Sequence, residues 1–154
     1  MTTIAANLEA MASDSKVDCG MGVSYKAVKI VRVKKMIVGA CGDGGDCSRL
    51  LEWAERDFKE PRPKWEQEDG SEEAIWALVL RADGLYFFTQ TDPEPEKMDE
   101  PHFAIGSGGK AARVALLLGK TPEEAVDLAC QVDGGSGLPV QVLYLKDQLP
   151  KGTK

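Results

Sequence analysis

Residues 1–13, which read MTTIAANLEAMAS, decide how the fold begins, because they hold two short apolar segments separated by two residues. The segments Thr2–Asn7 and Ala10–Ser13 are too short to form helices. Leu8-Glu9 between them has the length of a tight hairpin turn. We therefore expect the chain to open with two antiparallel strands.

Two further hairpins are predicted by the same reasoning. Apolar and basic residues alternate along Val28–Val33, and the apolar segment Met36–Ala40 follows after two lysines. The segments Ala74–Leu80 and Leu85–Thr89 flank Asp83-Gly84, a dipeptide that strongly favours hairpin turns. A last strand is expected at 140–145.

Three helices are predicted from apolar spacing and from start signals. Two of them follow glycine-rich loops, and the third follows a capping box, in which a threonine and a glutamate satisfy each other's backbone N–H groups. The predicted helices cover residues 46–58, capped by Asp46 or Ser48, residues 110–118, and residues 122–132, where Thr121, Pro122 and Glu124 provide the start signal.

Hairpins need a sheet, and amphipathic helices need a surface to cover, so this element order predicts an α+β fold. We expect a four-layer αββα sandwich of two antiparallel sheets flanked by helices, formed by residues 1–154 as one domain with 146–154 as a loose tail. A nucleotide-binding fold fits poorly. Residues 42–45 do not match the dinucleotide fingerprint, and Ala111 follows Gly109-Lys110 where a phosphate-binding loop needs Ser or Thr.

Composition narrows the class of function. The chain has 154 residues, of which 43% are hydrophobic and 29% charged, and its net charge is −6. No apolar run approaches the roughly 20 residues of a membrane span. The first residues do not resemble a secretory signal, so we expect a cytoplasmic protein. The negative charge argues against nucleic-acid binding, which needs clustered positive charge.

Cysteines and histidine give little support for a metal or cofactor. The four cysteines contain no CxxC pair, and His102 is the single histidine. We therefore expect no metal site, no cofactor and reduced thiols. A Ser-His-Asp mechanism is disfavoured as well, because His102 lies at a strand entrance and favours a structural role. An enzyme of this sequence would need a base other than histidine.

Thr2 is the candidate for that chemistry. If Met1 is removed, Thr2 carries a hydroxyl nucleophile and an α-amine whose pKa of about 8 suits a general base. The alternative is an ordinary strand start, since β-branched residues favour strands.

Six segments together resemble the proteasome β subunits and the bacterial HslV peptidase, which are N-terminal nucleophile hydrolases. The resemblance extends from Thr2 to about Leu145. The segments are Thr2–Ile4, Ser13–Ser15, Lys29–Val31, Gly39–Cys47, Ala104–Gly109 and Asp133–Gly137.

The resemblance implies that Thr2 is the nucleophile and that Asp14 and Lys29 lie beside it. A lysine ammonium near the hydroxyl lowers the cost of forming an alkoxide, and an aspartate keeps that lysine charged and oriented. The alternative for both residues is an exposed surface charge.

The resemblance further implies that Ser107, Asp133 and Ser136 hydrogen-bond around the terminal amine, although these residue types are also usual in turns. Residues Gly42, Asp43 and Gly44 correspond to the segment that supplies the oxyanion-hole amide, with Asp43 or Gly44 as the donor. A carboxylate in this loop departs from the family and could repel an oxyanion.

By this resemblance the chain is a threonine peptidase or amidase that acts on protein or peptide substrates. The alternatives are a noncatalytic subunit of a proteasome-like assembly and a small-molecule amidohydrolase. A homo-oligomer is expected. One outer helix of the family is expected to be missing, because Lys59–Glu73 is charged and interrupted by prolines. A closed ring and an ATP-dependent unfoldase partner are therefore in doubt.

Overall fold

The computed structural model describes residues 1–65 and 75–146, which form eleven strands and three helices. The strands are β1 (Thr3–Asn7), β2 (Ala10–Ser13), β3 (Lys16–Asp18), β4 (Ser24–Lys26), β5 (Ile30–Val33), β6 (Met36–Gly42), β7 (Ile75–Arg81), β8 (Gly84–Thr89), β9 (Glu96–Lys97), β10 (His102–Gly106) and β11 (Gln141–Tyr144). The helices are α1 (Gly44–Glu55), α2 (Gly109–Leu117) and α3 (Pro122–Val132).

The N-terminal hairpin forms as predicted and becomes the centre of a four-stranded sheet. β1 and β2 pair antiparallel with Ile4 opposite Ser13, and the sheet has the order β10-β1-β2-β11. Asn7 shapes the turn, because its side-chain oxygen accepts hydrogen bonds from the backbone N–H groups of Glu9 and Ala10. Thr3 lies opposite Gly106 at one end of this sheet.

The other two predicted hairpins build a five-stranded antiparallel sheet of order β5-β6-β7-β8-β9. β5 and β6 turn through Lys34-Lys35, and β7 and β8 turn through Ala82-Asp83. β9 is a two-residue edge strand paired with β8.

Three separate apolar cores show that the predicted four-layer arrangement is correct. α1 covers the outer face of the five-stranded sheet with Leu50 and Trp53. The layer between the two sheets includes Ile4 and Ile37. The third core lies between the four-stranded sheet and the helices α2 and α3, where small residues such as Ala129 allow close packing.

The start of α1 differs from the prediction. The helix begins at Gly44, and its N-cap is Asp43, whose side chain accepts a hydrogen bond from the backbone N–H of Asp46. The caps predicted at Asp46 and Ser48 are therefore wrong, because both residues lie within the first turns. The first helical turn was not predicted because it contains Gly44 and Gly45, and glycine is a poor helix former.

The start of α3 is as predicted, with the complete Thr121–Glu124 capping box and a proline in the first turn. Residues 59–65 form no helix, in agreement with the predicted loss of an outer helix. The rest of that prediction, residues 66–73, and the predicted tail from 147 onward lie outside the described residues. None of the three helices described is long and apolar enough to cross a membrane.

Candidate functional site

The residues predicted to surround Thr2 meet at one end of the two sheets. Thr2 is half-buried directly before β1, and Lys29 directly precedes β5. Ser107 lies in the turn between β10 and α2, and Asp133 follows α3. The site is thus assembled from the ends of elements that belong to both sheets and to the outer helices.

Asp14 and Lys29 form a buried ion pair. The Nζ of Lys29 lies 2.9 Å and 3.1 Å from the two carboxylate oxygens of Asp14. The side chain of Asp14 is fully buried and that of Lys29 is 7% exposed. The interpretation of these residues as surface charges is wrong, because both are removed from solvent.

Backbone N–H groups satisfy the remaining hydrogen-bonding capacity of the Asp14 carboxylate. It accepts hydrogen bonds from the N–H groups of Thr3, Lys16 and Gly137 at 3.0–3.1 Å. A buried carboxylate is costly unless it is paired and hydrogen-bonded, and here both conditions are met. Asp14 therefore joins β1, β3 and the loop after α3 at one point.

The ammonium of Lys29 is directed toward the N-terminus. Besides Asp14, its Nζ donates to the carbonyl oxygen of Met1 at 2.8 Å and to the carbonyl oxygen of Lys16. An ammonium has three hydrogens, so these partners fix its orientation. A fixed positive charge therefore lies against the peptide bond between Met1 and Thr2.

Asp133 joins the two candidate serines. Its Oδ2 accepts hydrogen bonds from Ser107 Oγ at 2.7 Å and from Ser136 Oγ at 2.6 Å. Partial burial acts to raise the pKa of Asp133. The hydrogen bonds from Ser136, Ser107 and the backbone of Gly135, together with the N-terminal charge, outweigh burial and lower that pKa. Asp133 is thus held as a carboxylate within the electrostatic range of the Met1 amine.

Thr3 connects this serine and aspartate cluster to the N-terminal strand, and the sequence did not single it out. Its side-chain Oγ1 lies 2.7 Å from Ser136 Oγ, and Thr3 is fully buried. The only signal available in the sequence was a second threonine directly after the candidate nucleophile. Every residue from Thr3 to Ala6 is buried, so β1 shows no alternation of buried and exposed residues. The pattern along β1 therefore could not distinguish Thr3 from its neighbours.

Two glycines bring the N-terminus close to the loop before α2. At Gly106, whose φ is +96°, a Cβ would lie 1.9 Å from the carbonyl oxygen of Thr2. At Gly108 a Cβ would lie 2.0 Å from Thr3 Oγ1. Both positions require glycine, because a side chain would prevent the close approach of the N-terminal residues. This role goes beyond the formation of turns, which is all that the sequence indicated.

The predicted oxyanion segment joins β6 to α1. Gly42 ends β6 with φ +121°, Asp43 is the N-cap, and Gly44 begins the helix. The Oδ2 of Asp43 accepts the N–H of Asp46 at 3.0 Å, so this carboxylate lies on the positive end of α1. In the described structure the segment makes no hydrogen bond to the Asp14–Lys29 pair or to the serine and aspartate cluster.

Cys41 shows that this segment nevertheless lies near the ion pair. Burial raises the pKa of Cys41 to about 12, assisted by Cys47, while the charges of Lys29 and the N-terminus act in the opposite direction. Cys41 therefore lies within the electrostatic range of both groups. Its thiol remains protonated at neutral pH.

The site has little that would bind a metal. Within residues 1–65 and 75–146, no group of three or more His, Cys, Asp or Glu side chains is placed to hold a metal ion. The carboxylates of Asp14 and Asp133 are already occupied by the hydrogen bonds described above. The arrangement instead suits proton transfer and charge stabilisation at the chain terminus.

Comparisons with solved structures show which known proteins share this fold. No protein-family model and no curated protein sequence matches the chain. Among solved structures, Thiobacillus denitrificans BPH is similar with a TM-score of 0.68 at 20% identity, covering 96% of this chain and 99% of that one. The same protein is also known in complex with epoxomicin.

Two further solved structures are similar. HslV from Trypanosoma brucei has a TM-score of 0.67 at 21% identity and covers 92% of this chain and 99% of that one. Anbu, an ancestral β-subunit from Yersinia bercovieri, has a TM-score of 0.60 at 15% identity and covers 94% of this chain and 81% of that one. The resemblance to HslV and proteasome β subunits is thus confirmed at the level of the N-terminal nucleophile hydrolase fold.

Proposed function

We propose that this chain is an N-terminal threonine hydrolase of amide bonds, in which Thr2 becomes the nucleophile once Met1 is removed. The observation that carries the proposal is the buried Asp14–Lys29 pair, which directs an ammonium at the Met1–Thr2 peptide bond. A buried ion pair adds little to stability compared with apolar packing. Its position beside the terminus favours a chemical role.

In the proposed reaction the free amine of Thr2, with an ordinary pKa of about 8, accepts the proton of its own hydroxyl. Lys29 lowers the cost of the developing alkoxide. The alkoxide attacks the amide carbonyl, and the resulting oxyanion is stabilised by the backbone N–H of Asp43 or Gly44. The leaving amine takes a proton from the Thr2 ammonium, and water then releases the acyl group from the threonine ester.

Asp133, Ser107 and Ser136 are proposed to hold the terminal ammonium between these steps. The contact of Ser107 Oγ with the carbonyl oxygen of Thr2, at 3.4 Å, supports this role. Met1 still precedes Thr2 in the structure, so the network surrounds a peptide bond instead of a free amine. Removal of Met1 would free the Lys29 donor that now binds the Met1 carbonyl.

The proposed substrates are peptides or proteins. That BPH is known with epoxomicin supports the use of an epoxyketone as a probe of this chain. We further propose a homo-oligomer located in the cytoplasm, a compartment that suits the four free cysteines. An ATP-dependent unfoldase partner is not part of the proposal.

Intact mass measurement combined with an epoxyketone probe tests the proposal. Protein from a native-like host should lack Met1 and should gain one probe mass at Thr2. Thr2→Ser retains a hydroxyl and should still be labelled, whereas Thr2→Ala should not. Complete retention of Met1, or equal labelling of Thr2→Ala, would exclude Thr2 as the nucleophile. Loss of Met1 without any labelling would favour a noncatalytic subunit.

A further inference from the structure

A groove opens where β7, β8 and β9 lie side by side. Its volume is about 400 Å³, within the usual range of ligand pockets. Trp76 and Phe87 provide its apolar surface, and Asp92 and Glu96 provide carboxylates. Trp76 is 40% exposed, which is unusual for so large an apolar side chain. We call this feature the aromatic groove.

The aromatic groove continues the candidate site across the five-stranded sheet. Trp76 lies opposite Cys41 in the pairing of β6 with β7, and the next residue of β6 is Gly42, where the proposed oxyanion segment begins. Residues opposite each other in antiparallel strands share a face of the sheet. Cys41 and Phe87 both pack against the core between the two sheets. The groove therefore opens on the side of the sheet that faces β1 and the Thr2 before it.

Neighbouring rings restrain the indole of Trp76. It meets Phe87 at a centroid distance of 6.0 Å with the ring planes at 90°, and Phe87 meets Phe103 at 5.7 Å. Such edge-to-face contacts are favourable and leave part of the tryptophan surface open to solvent. The face of an indole ring carries negative electrostatic potential, so it attracts cations, and arginine most often.

Three arginines of this chain already lie over aromatic rings, at 4.8–5.9 Å from the centroids. The pairs are Arg62 with Trp53, Trp65 and Phe88, Arg81 with Phe58 and Tyr86, and Arg113 with Phe103. In the part of the chain that the structure describes, no arginine or lysine lies over Trp76 or Phe87. The rings of the aromatic groove are thus left for a cation that a ligand supplies.

The carboxylates beside the groove are in excess. Residues 91–100 contain five acidic residues and one basic residue, Lys97. β9 places Glu96 opposite Phe87, on the face of the groove, and directs Lys97 to the other face. A Cβ at Gly84 would lie 2.7 Å from the Cε of Lys97, so this side chain extends over Gly84. Among the described residues, none forms an ion pair with the exposed Glu96 carboxylate.

We propose that the aromatic groove binds an arginine side chain of the polypeptide that the chain hydrolyses. The guanidinium stacks on Trp76 and pairs with the Glu96 carboxylate, a combination that suits its flat and permanently charged shape. β8 lies two strands from β6, which is about 10 Å at the usual strand spacing. About three residues of extended peptide span that distance, so the arginine lies about three residues from the cleaved bond.

This inference rests on the proposed function for the identity of the peptide as a substrate, and the binding itself needs no hydrolysis. Tryptophan fluorescence of the Thr2→Ala variant therefore tests it. Trp76 is 40% exposed and the other two tryptophans, Trp53 and Trp65, are 2% and 5% exposed, so a change on titration reports the groove. The probes are two eight-residue peptides that differ at one position, which is arginine in one and its uncharged analogue citrulline in the other.

The arginine peptide should bind about tenfold more tightly than the citrulline peptide, since only the former carries the cation. Glu96→Gln should remove most of this preference. Glu96→Lys should reverse it in favour of a third peptide with glutamate at the same position, because the charges are then exchanged. Glu123→Gln makes the same change as Glu96→Gln on the exposed side of α3, so it is the matched control and should keep the tenfold preference.

Trp76→Leu separates the ring from the charge. It should weaken binding of the arginine peptide more than that of the citrulline peptide, as measured by titration calorimetry. Equal affinities of the two peptides for the Thr2→Ala protein would overturn the inference, and so would a preference that survives both Glu96→Gln and Trp76→Leu.

Epoxyketone labelling of the wild type distinguishes this inference from the proposed function. Labelling at Thr2 without any preference for the arginine peptide would reject the groove and leave the hydrolase proposal intact. A preference for the arginine peptide without labelling would support the groove as a peptide-binding site and count against the hydrolase proposal.

Discussion

Asp14 shows how a charge is kept in the interior of this small protein. Three backbone N–H groups and the Lys29 ammonium surround it, so its carboxylate loses water without losing hydrogen bonds. Removing one partner from such a pair leaves an uncompensated buried charge, which typically costs about 3–5 kcal/mol. Stability and the proposed chemistry thus depend on the same two side chains.

Lys29→Ala should therefore lower the free energy of unfolding by several kcal/mol, about the range for a broken buried pair. It should also lower amide hydrolysis by about a hundredfold or more. Thermal unfolding and probe-labelling rates measure the two effects. Lys26→Ala, in an exposed strand of the same region, should change neither rate nor stability appreciably. Equal losses of activity in both variants would show that the catalytic lysine is misassigned.

Asp43 gives a second test. Asp43→Asn keeps a side-chain oxygen for the Asp46 N–H and removes the negative charge near the proposed oxyanion. We expect stability within a few tenths of a kcal/mol of the wild type, and a higher labelling rate. Asp43→Ala should lower stability by about 1 kcal/mol through loss of the cap. Slower labelling of Asp43→Asn would mean that the carboxylate does not oppose the reaction.

The sequence located the polar residues of the site better than it described their contacts. The order of motifs identified Asp14, Lys29 and Asp133, which the fold brings to one end of the sheets. Thr3 was missed because only the folded chain places its hydroxyl against Ser136. The cap formed by Asp43 was missed because the apolar spacing predicts a helix that begins at residue 46.

At the scale of elements, glycines set how closely segments approach. Gly106 and Gly119 have similar backbone angles, with φ +96° and +89°. A Cβ at Gly119 would meet nothing within 4 Å, whereas a Cβ at Gly106 would overlap the carbonyl of Thr2. Comparing an alanine substitution at Gly119 with one at Gly106 therefore distinguishes the cost of backbone strain alone from the added cost of a steric clash.

Gly119→Ala should cost about 1–2 kcal/mol, the usual penalty for an L-residue in the left-handed region. Gly106→Ala should cost clearly more, because β1 must also move away from β10. Chemical denaturation measures both, and probe labelling should fall further in Gly106→Ala. Similar stabilities of the two variants would contradict the close packing of Thr2 on Gly106.

Hairpins with alternating or apolar strands could be predicted, and so could a helix with a complete capping box. β3, β4 and β9 could not, because they are two or three residues long and carry no apolar period. β9 pairs with β8 across a six-residue connection, and β3 and β4 are joined by an irregular tip. Local sequence predicts elements that have their own apolar face, and tertiary contacts decide the others.

At the scale of the whole molecule, the carboxylate of Asp133 links stability to pH. Its pKa is lowered in the folded state, so its contribution is fully present above the unfolded pKa and is lost as pH falls through the folded pKa. The stability difference between wild type and Asp133→Asn should thus be constant near neutral pH and shrink below about pH 4. Urea unfolding at several pH values measures it. A difference that shrinks as pH rises would have the wrong sign.

The cysteines should differ sharply in reactivity. Burial raises the pKa of Cys41 to about 12 and those of Cys47 and Cys130 to about 11, whereas Cys19 is exposed. At pH 8 these three half-buried thiols are about one-thousandth ionised or less. Brief iodoacetamide treatment should give a single adduct by intact mass, and Cys19→Ser should give none. Rapid alkylation of Cys41 in the folded protein would contradict its burial.

The contact between Met1 and Gly135 bears on how the protein is best produced. A Cβ at Gly135 would lie 2.5 Å from the Cβ of Met1, so the residue ahead of Thr2 is packed against this glycine. An affinity tag fused to the N-terminus would have to pass over the same place and would keep the Thr2 amine acylated. Recombinant protein for functional work should therefore carry its tag at the C-terminus, or have a cleavage site that leaves Thr2 as the first residue.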